Sequence, residues 1–316
     1  MTKRMALLVS VAAVLAGCEA SDDDPRPRMD TPATAAPTPS SSPEAGPPRE
    51  SEAPEPATRR VAGPPPPRTV TNEFLDVAGK PRPFVLVVPG TYSPKKTYPL
   101  VLVLHGDAQD GAAMRAAFPF DEVSAEAAVV AYPSGWSGWN LYDPPDANED
   151  LTFLVALVGA LKARFAIDPA RVFGTGFSSG AFMVNQVGCR RPSLFRAIVP
   201  HSGGAPSEPQ DPAATRWDNS YTRCAGQSLG NGPAVMVIHG MADTDVTYDS
   251  GAFTASYWAY IDGCQSTRST PLAPPPCTLH DGCPTGRPVA LCAIPNLGHA
   301  VWSEAAKATW QFFSAL

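Results

Sequence analysis

Between residues 19 and 68 the sequence has no Phe, Trp, Tyr, Leu or Ile. A stretch so poor in large apolar side chains cannot bury enough surface to offset its ordering entropy, so no packed core is expected there. It carries 14 prolines, 9 acids and 6 bases instead, the composition of a disordered, Pro-rich tether. Runs of basic residues are also missing. The body at 69–316 holds 16 Lys and Arg against 21 Asp and Glu. A body of net negative charge with no basic patch excludes nucleic acid as an expected partner. No apolar run reaches the ~18 residues of a membrane span. There is no HxH or HExxH spacing and no CxxC, so neither a metal nor a cofactor is expected.

What is present begins with a targeting segment. Lys3 and Arg4 precede an apolar stretch from Met5 to Leu15, which ends in LAGC with Cys18 in fourth place. Charged, apolar and small-residue parts in that order read as a signal peptide. A cysteine at the cut site resembles a bacterial lipobox, which implies cleavage before Cys18 and lipid attachment to its thiol. The expected organisation is a signal peptide at 1–17, a lipid-anchored linker at 18–68 and a folded domain at 69–316. The linker would reach about 150 Å at full polyproline extension. Glu19 is not the Asp that favours inner-membrane retention, so an exported lipoprotein of the outer membrane or cell surface is expected rather than free secretion.

Six cysteines remain in the body: Cys189, Cys224, Cys264, Cys277, Cys283 and Cys292. An even number in an exported chain reads as disulfides, and six allow 15 pairings. Our reading pairs Cys277 with Cys283 across a local loop, Cys264 with Cys292, and Cys189 with Cys224.

The body alternates short apolar runs with helical patterns. Residues 84–88, 100–106, 128–133, 171–176, 195–203, 234–240 and 289–295 read as strands, and their near-continuous apolar character predicts burial on both faces. Helices are predicted over 150–165, with Asp150 as N-cap, and over 179–189, 249–262 and 303–315. This pattern specifies an α/β fold with one mostly parallel central sheet flanked by helices. Stretches 204–232 and 264–288 are expected to be ordered excursions held by disulfides.

Gly176-Phe177-Ser178-Ser179-Gly180 follows a predicted strand and opens a predicted helix. G-x-S-x-G in that context is a sharp turn that lifts a serine hydroxyl clear of the sheet. A serine needs a base, and the base needs an orienting carboxylate. Asp243, past the strand at 234–240, and His299, past the strand at 289–295, supply them in the order Ser…Asp…His. Asp245 and Asp249 compete for the acid role. His105 and His239, each followed by Gly, read as structural turn residues. The main-chain amides of Asp107 and Ser179 are the expected oxyanion hole. Tyr132, Trp136 and Trp139, joined by Trp302, are candidates for substrate contact.

LVLVLHGDAQD, AYPSGW, the elbow with its flanking helices, FRAIVPHSGG, VIHGMADTDVTY and NLGHAVW together resemble the secreted polyhydroxybutyrate depolymerase and feruloyl esterase group of the α/β-hydrolase superfamily. The resemblance runs over about residues 70–316. It implies Ser178 as nucleophile, Asp243 as acid and His299 as base. It further implies hydrolysis of carboxylic esters in polyhydroxyalkanoate-type polyesters or in feruloyl and acetyl esters of plant polysaccharide. The sequence departs from the group at Asp107, where a small residue or cysteine is usual, and at Phe177 and Ala181. A prolyl-oligopeptidase-type serine peptidase and a non-catalytic surface binder are the competing readings.

Overall fold

The computed structural model describes residues 66–206, 229–265 and 268–316. Residues 1–65, and with them the signal peptide, Cys18 and most of the linker, lie outside the described residues, as does Cys224. Pro66 to Arg68 lie against the body, where Arg68 pairs with Asp121 at 3.8 Å.

Ten strands form one sheet in the order β1-β2-β4-β3-β5-β6-β7-β10-β9-β8. They are β1 (Thr69–Val77), β2 (Lys80–Val88), β3 (Tyr98–Leu104), β4 (Val129–Pro133), β5 (Ile167–Phe177), β6 (Ala197–His201), β7 (Ala234–Gly240), β8 (Ser269–Leu272), β9 (Cys277–His280) and β10 (Val289–Ile294). The pairs joining β4, β3, β5, β6, β7 and β10 are parallel, and the outer pairs are antiparallel. Every residue of β3 and of β7 is buried, as their unbroken apolar runs predict.

Both faces are covered. On one lie α3 (Glu149–Arg164), α4 (Ser179–Arg190) and α5 (Tyr248–Asp262), whose Leu154, Val184 and Trp258 pack against Leu100, Leu102 and Leu104. On the other, α1 (Gly111–Ala117), α2 (Phe120–Ser124) and α6 (Ala305–Ser314) bring Met114, Phe120 and Phe313 against Val101, Val103 and Phe173. The period-2 alternation of β3 thus feeds two separate apolar layers.

Three expectations are corrected. The N-cap of α3 is Asn148, whose side chain accepts from the Leu151 amide at 2.8 Å, not Asp150. Asp150 is buried and forms an ion pair with Arg82, and its other oxygen accepts from the Asn140 amide at 2.7 Å. The disulfides are Cys264–Cys283 and Cys277–Cys292, not Cys277–Cys283 and Cys264–Cys292. The excursion at 268–288 folds into the β8–β9 hairpin, which extends the sheet and places Cys277 directly across from Cys292 of β10. Cys264, just past the left-handed cap Gly263 of α5, meets the turn after β9, where Gln265 N donates to Gly282 O at 3.1 Å. Cys189 is also disulfide-bonded. Disulfides persist in oxidising compartments, which fits an exported protein.

Candidate active site

Strand β5 ends at Phe177 and helix α4 begins at Ser179, leaving Ser178 alone between them with φ 54° and ψ −123°. A non-glycine residue held at positive φ persists only where its surroundings over-determine it. Here the amide of Ser178 donates to His201 O at 3.0 Å, and its carbonyl accepts from Ala181 and Phe182 of the new helix. Gly176 lies so close to the first turn of α4 that a Cβ on it would stand 2.6 Å from the Gly180 carbonyl carbon. The small residues flanking the serine follow from that crossing.

His299 stands in the loop between β10 and α6. Its Nε2 is 2.9 Å from Ser178 Oγ, and its Nδ1 is 2.8 Å from Asp243 Oδ2. Asp243 follows β7, and its Oδ1 accepts from the amides of Asp245 and Val246, both at 3.0 Å. Burial pushes this carboxyl up, but the His299 bond and the two amides outweigh it and hold the group below the usual carboxylate range. It is therefore a charged acceptor, which fixes the Nδ1–H tautomer of His299 and leaves Nε2 to accept from Ser178. All three residues sit just beyond the C-terminal ends of strands. The competitors for the acid role do not reach this position: Asp245 and Asp249 are exposed, and Asp245 supplies only an amide to Asp243.

The amides of Asp107 and Ser179 have no hydrogen-bond partner among the described residues. Gly106 packs against Ser178, since a Cβ on it would meet Ser178 Cβ at 3.4 Å, so Asp107 begins close to that serine. Ser179 is the first residue of α4, where amide donors are unsatisfied by the helix itself.

His105 and His239 behave as the sequence reading has them. In the loop after β3, His105 Nδ1–H donates to Gly106 O at 2.6 Å and Nε2 accepts from Gly135 N at 2.8 Å. His239 is fully buried and donates to Val246 O at 2.9 Å, bracing the loop that carries Asp243. Sequence reasoning missed His201. Its carbonyl holds the Ser178 amide, while its Nε2 accepts from Trp302 N at 3.4 Å in the His299 loop. Burial keeps it neutral, with its pKa pushed down to about 3. Its place at the end of the run FRAIVPH was the available signal.

The aromatic candidates separate. Tyr132 is a correction: it is wholly buried and donates to Asp121 Oδ1 at 2.7 Å, so it is a core residue out of reach of substrate. Trp302 is half-buried against the second apolar layer. Trp136 and Trp139 line a cavity of about 580 Å³ with Asp107, Gly138, Asn140 and Tyr142. Trp139 is anchored, its Nε1 donating to His105 O at 2.8 Å, whereas Trp136 is 64% exposed.

Strand order, elbow and the Ser178–His299–Asp243 chain of hydrogen bonds define an α/β-hydrolase fold. Comparison with known proteins agrees. The model of the prolyl oligopeptidase family matches residues 147–206, from α3 through the elbow to β6. A probable feruloyl esterase C of Aspergillus terreus is 29% identical over 264 residues, spanning 78% of this chain and 88% of that protein. A poly(3-hydroxyalkanoate) depolymerase C of Paucimonas lemoignei is 30% identical over 195 residues, 54% of this chain and 46% of its own length. The solved acetyl xylan esterase from Aspergillus awamori shares the fold, with a TM-score of 0.60 at 17% identity over 74% of this chain and 94% of that one. Within the α/β-hydrolase class, the chain is similar to carboxylic ester hydrolases, feruloyl esterases and a polyhydroxyalkanoate depolymerase among them.

Proposed function

We propose that the protein is an exported serine esterase that hydrolyses carboxylic esters through an acyl-enzyme on Ser178. The observation that carries this is the continuous chain Ser178 Oγ–His299 Nε2 at 2.9 Å and His299 Nδ1–Asp243 Oδ2 at 2.8 Å. His299 takes the Ser178 proton as Oγ attacks the ester carbonyl carbon. The carbonyl oxygen, now negative, accepts hydrogen bonds from the Asp107 and Ser179 amides, each worth roughly 3–4 kcal/mol at such a position. Collapse breaks the bond to the alcohol oxygen, which takes the proton from His299 Nε2. Water, deprotonated by the same nitrogen, then releases the acid and restores Ser178. Asp243 stays charged and steadies the imidazolium in both halves.

The relatives suggest two substrate families, feruloyl or acetyl esters of polysaccharide and polyhydroxyalkanoate-type polyester, with Trp136 and Trp139 as the walls nearest the oxyanion loop. The peptidase reading rests on a family match confined to 147–206, whereas the likeness to esterases spans most of the body. A fluorophosphonate probe should label the full chain once, at Ser178. Labelling mapped to Ser179, or none, would sink the assignment.

Cys18 is the proposed lipid attachment site, with residues 18–68 as the tether and 69–316 as the catalytic domain. It accounts for the apolar run, LAGC and the Pro-rich stretch in that order. In fractionated bacterial cells the wild type should partition with membranes, and Cys18→Ser should leave them or remain unprocessed. Unchanged partitioning and processing of the variant would refute lipid anchoring.

A further inference from the structure

The cavity beside the oxyanion loop carries three carboxylates, and they differ in how they are compensated. Asp150 is paired with buried Arg82. Glu149 is paired with Lys80 at 2.6 Å. Asp107 has neither a cation nor a hydrogen bond on its carboxylate among the described residues, and no Lys or Arg lines the cavity. Its position is fixed on two sides. Gly106 before it packs on Ser178, and Ala108 after it donates to Ser137 O at 3.2 Å. Its Oδ1 rests against Gly138, a residue at φ 142° where a Cβ would collide with that oxygen. The carboxylate is therefore held against the Trp136–Gly138 turn, facing the same space as the exposed rings of Trp136 and Tyr142.

We propose that Asp107 is a specificity-determining residue, a charge filter through which the enzyme takes uncharged esters and disfavours those carrying a carboxylate. This rests on the esterase reading above and selects within it. A neutral, hydroxyl-bearing substrate gives the Asp107 oxygens hydroxyl donors and the indole and phenol rings faces to lie on. A substrate with its own carboxylate, such as a short polyester oligomer ending in a free acid, brings like charge to an uncompensated carboxylate. Two unit charges several ångströms apart in a half-solvated cleft repel enough to change kcat/KM on the order of five- to tenfold, and salt screens the effect. The substrate class favoured is thus a carbohydrate ester over an acid-terminated oligoester.

The test uses the full chain and two matched pairs of esters. One pair, 4-nitrophenyl butyrate and 4-nitrophenyl hemisuccinate, differs in charge on the acyl side. The other, 2-hydroxyethyl ferulate and 2-carboxyethyl ferulate, differs on the alcohol side. Wild type should prefer the neutral member of at least one pair. Asp107→Asn should narrow that preference by about fivefold or more at low salt, and added salt should narrow it for wild type alone. Glu149→Gln, already neutralised by Lys80, should move the ratio less. A preference unchanged in Asp107→Asn for both pairs would overturn the proposal. Failure of the esterase reading itself looks different: wild type would turn over neither neutral ester and would not take the fluorophosphonate.

Discussion

Ser178→Ala and His299→Ala are each expected to lower kcat for a neutral ester by about 10³-fold or more, and the double variant should be little worse. The reason lies in the serial hydrogen bonds. In the proposed mechanism Ser178 is a nucleophile only while His299 Nε2, 2.9 Å away, can receive its proton. Removing either end abolishes one and the same step, so the losses do not add. Asp243→Asn should cost less than either, because Ser178 and His299 remain in place, but an amide at 243 no longer selects the Nδ1–H tautomer. The three variants should stay folded: Ser178 and His299 are only partly buried, and the main-chain amides around Asp243 can bond an Asn oxygen as they bond the carboxylate. Circular dichroism and Tm should therefore stay near wild type while turnover falls. Retained hydrolysis in Ser178→Ala would mean that another group carries the reaction.

Much of this site was readable beforehand because it is written in short local signals. The elbow needs glycines at fixed offsets around one serine, and Asp243 and His299 each follow a strand with a near-continuous apolar run. The seven strands read from such runs are all present, with ends shifted by a few residues. What escaped the reading depends on contacts far apart in sequence. The strand β1 alternates exposed and half-buried residues at the sheet edge and has no apolar run; its register comes from the Ala78-Gly79 turn, both residues at positive φ. Asp150 has the residue type and position of an N-cap, yet Arg82, 68 residues earlier, draws it into an ion pair, and Asn148 caps instead. The pairing of Cys277 with Cys292 follows from the register of β9 against β10, which no cysteine spacing reveals. Tyr132 lies in the strand read at 128–133, but its reading as a substrate contact fails because its ring turns inward to Asp121, a contact no local pattern reveals.

Gly180→Ala should lower the rate by about 10²-fold, although the added methyl touches no reacting atom. A Cβ at Gly180 would lie within 2.5 Å of the Leu104 carbonyl oxygen and against the carbonyl of His105. Neither can retreat easily. Leu104 is the last residue of β3, paired with Gly176 of β5, and the His105 side chain is bonded at both ring nitrogens. The first turn of α4 must therefore move away from β3, carrying Ser178 and the Ser179 amide with it and away from the Asp107 amide. Displacements near 1 Å at such a site cost about 10²-fold in rate, and forced overpacking costs about 1–3 kcal/mol of stability. Two substitutions serve as internal comparisons. Ser179→Ala keeps the amide and loses only a buried, unbonded hydroxyl, so it should change the rate by a few-fold at most. Gly159→Ala, in α3 with no atom within 4 Å of the new methyl, should be tolerated. The measurement is the fluorophosphonate labelling rate at Ser178 with Tm alongside it. A Gly180→Ala enzyme that labels within a few-fold of wild type would show that the close crossing of α4 over β3 does not set the position of the nucleophile.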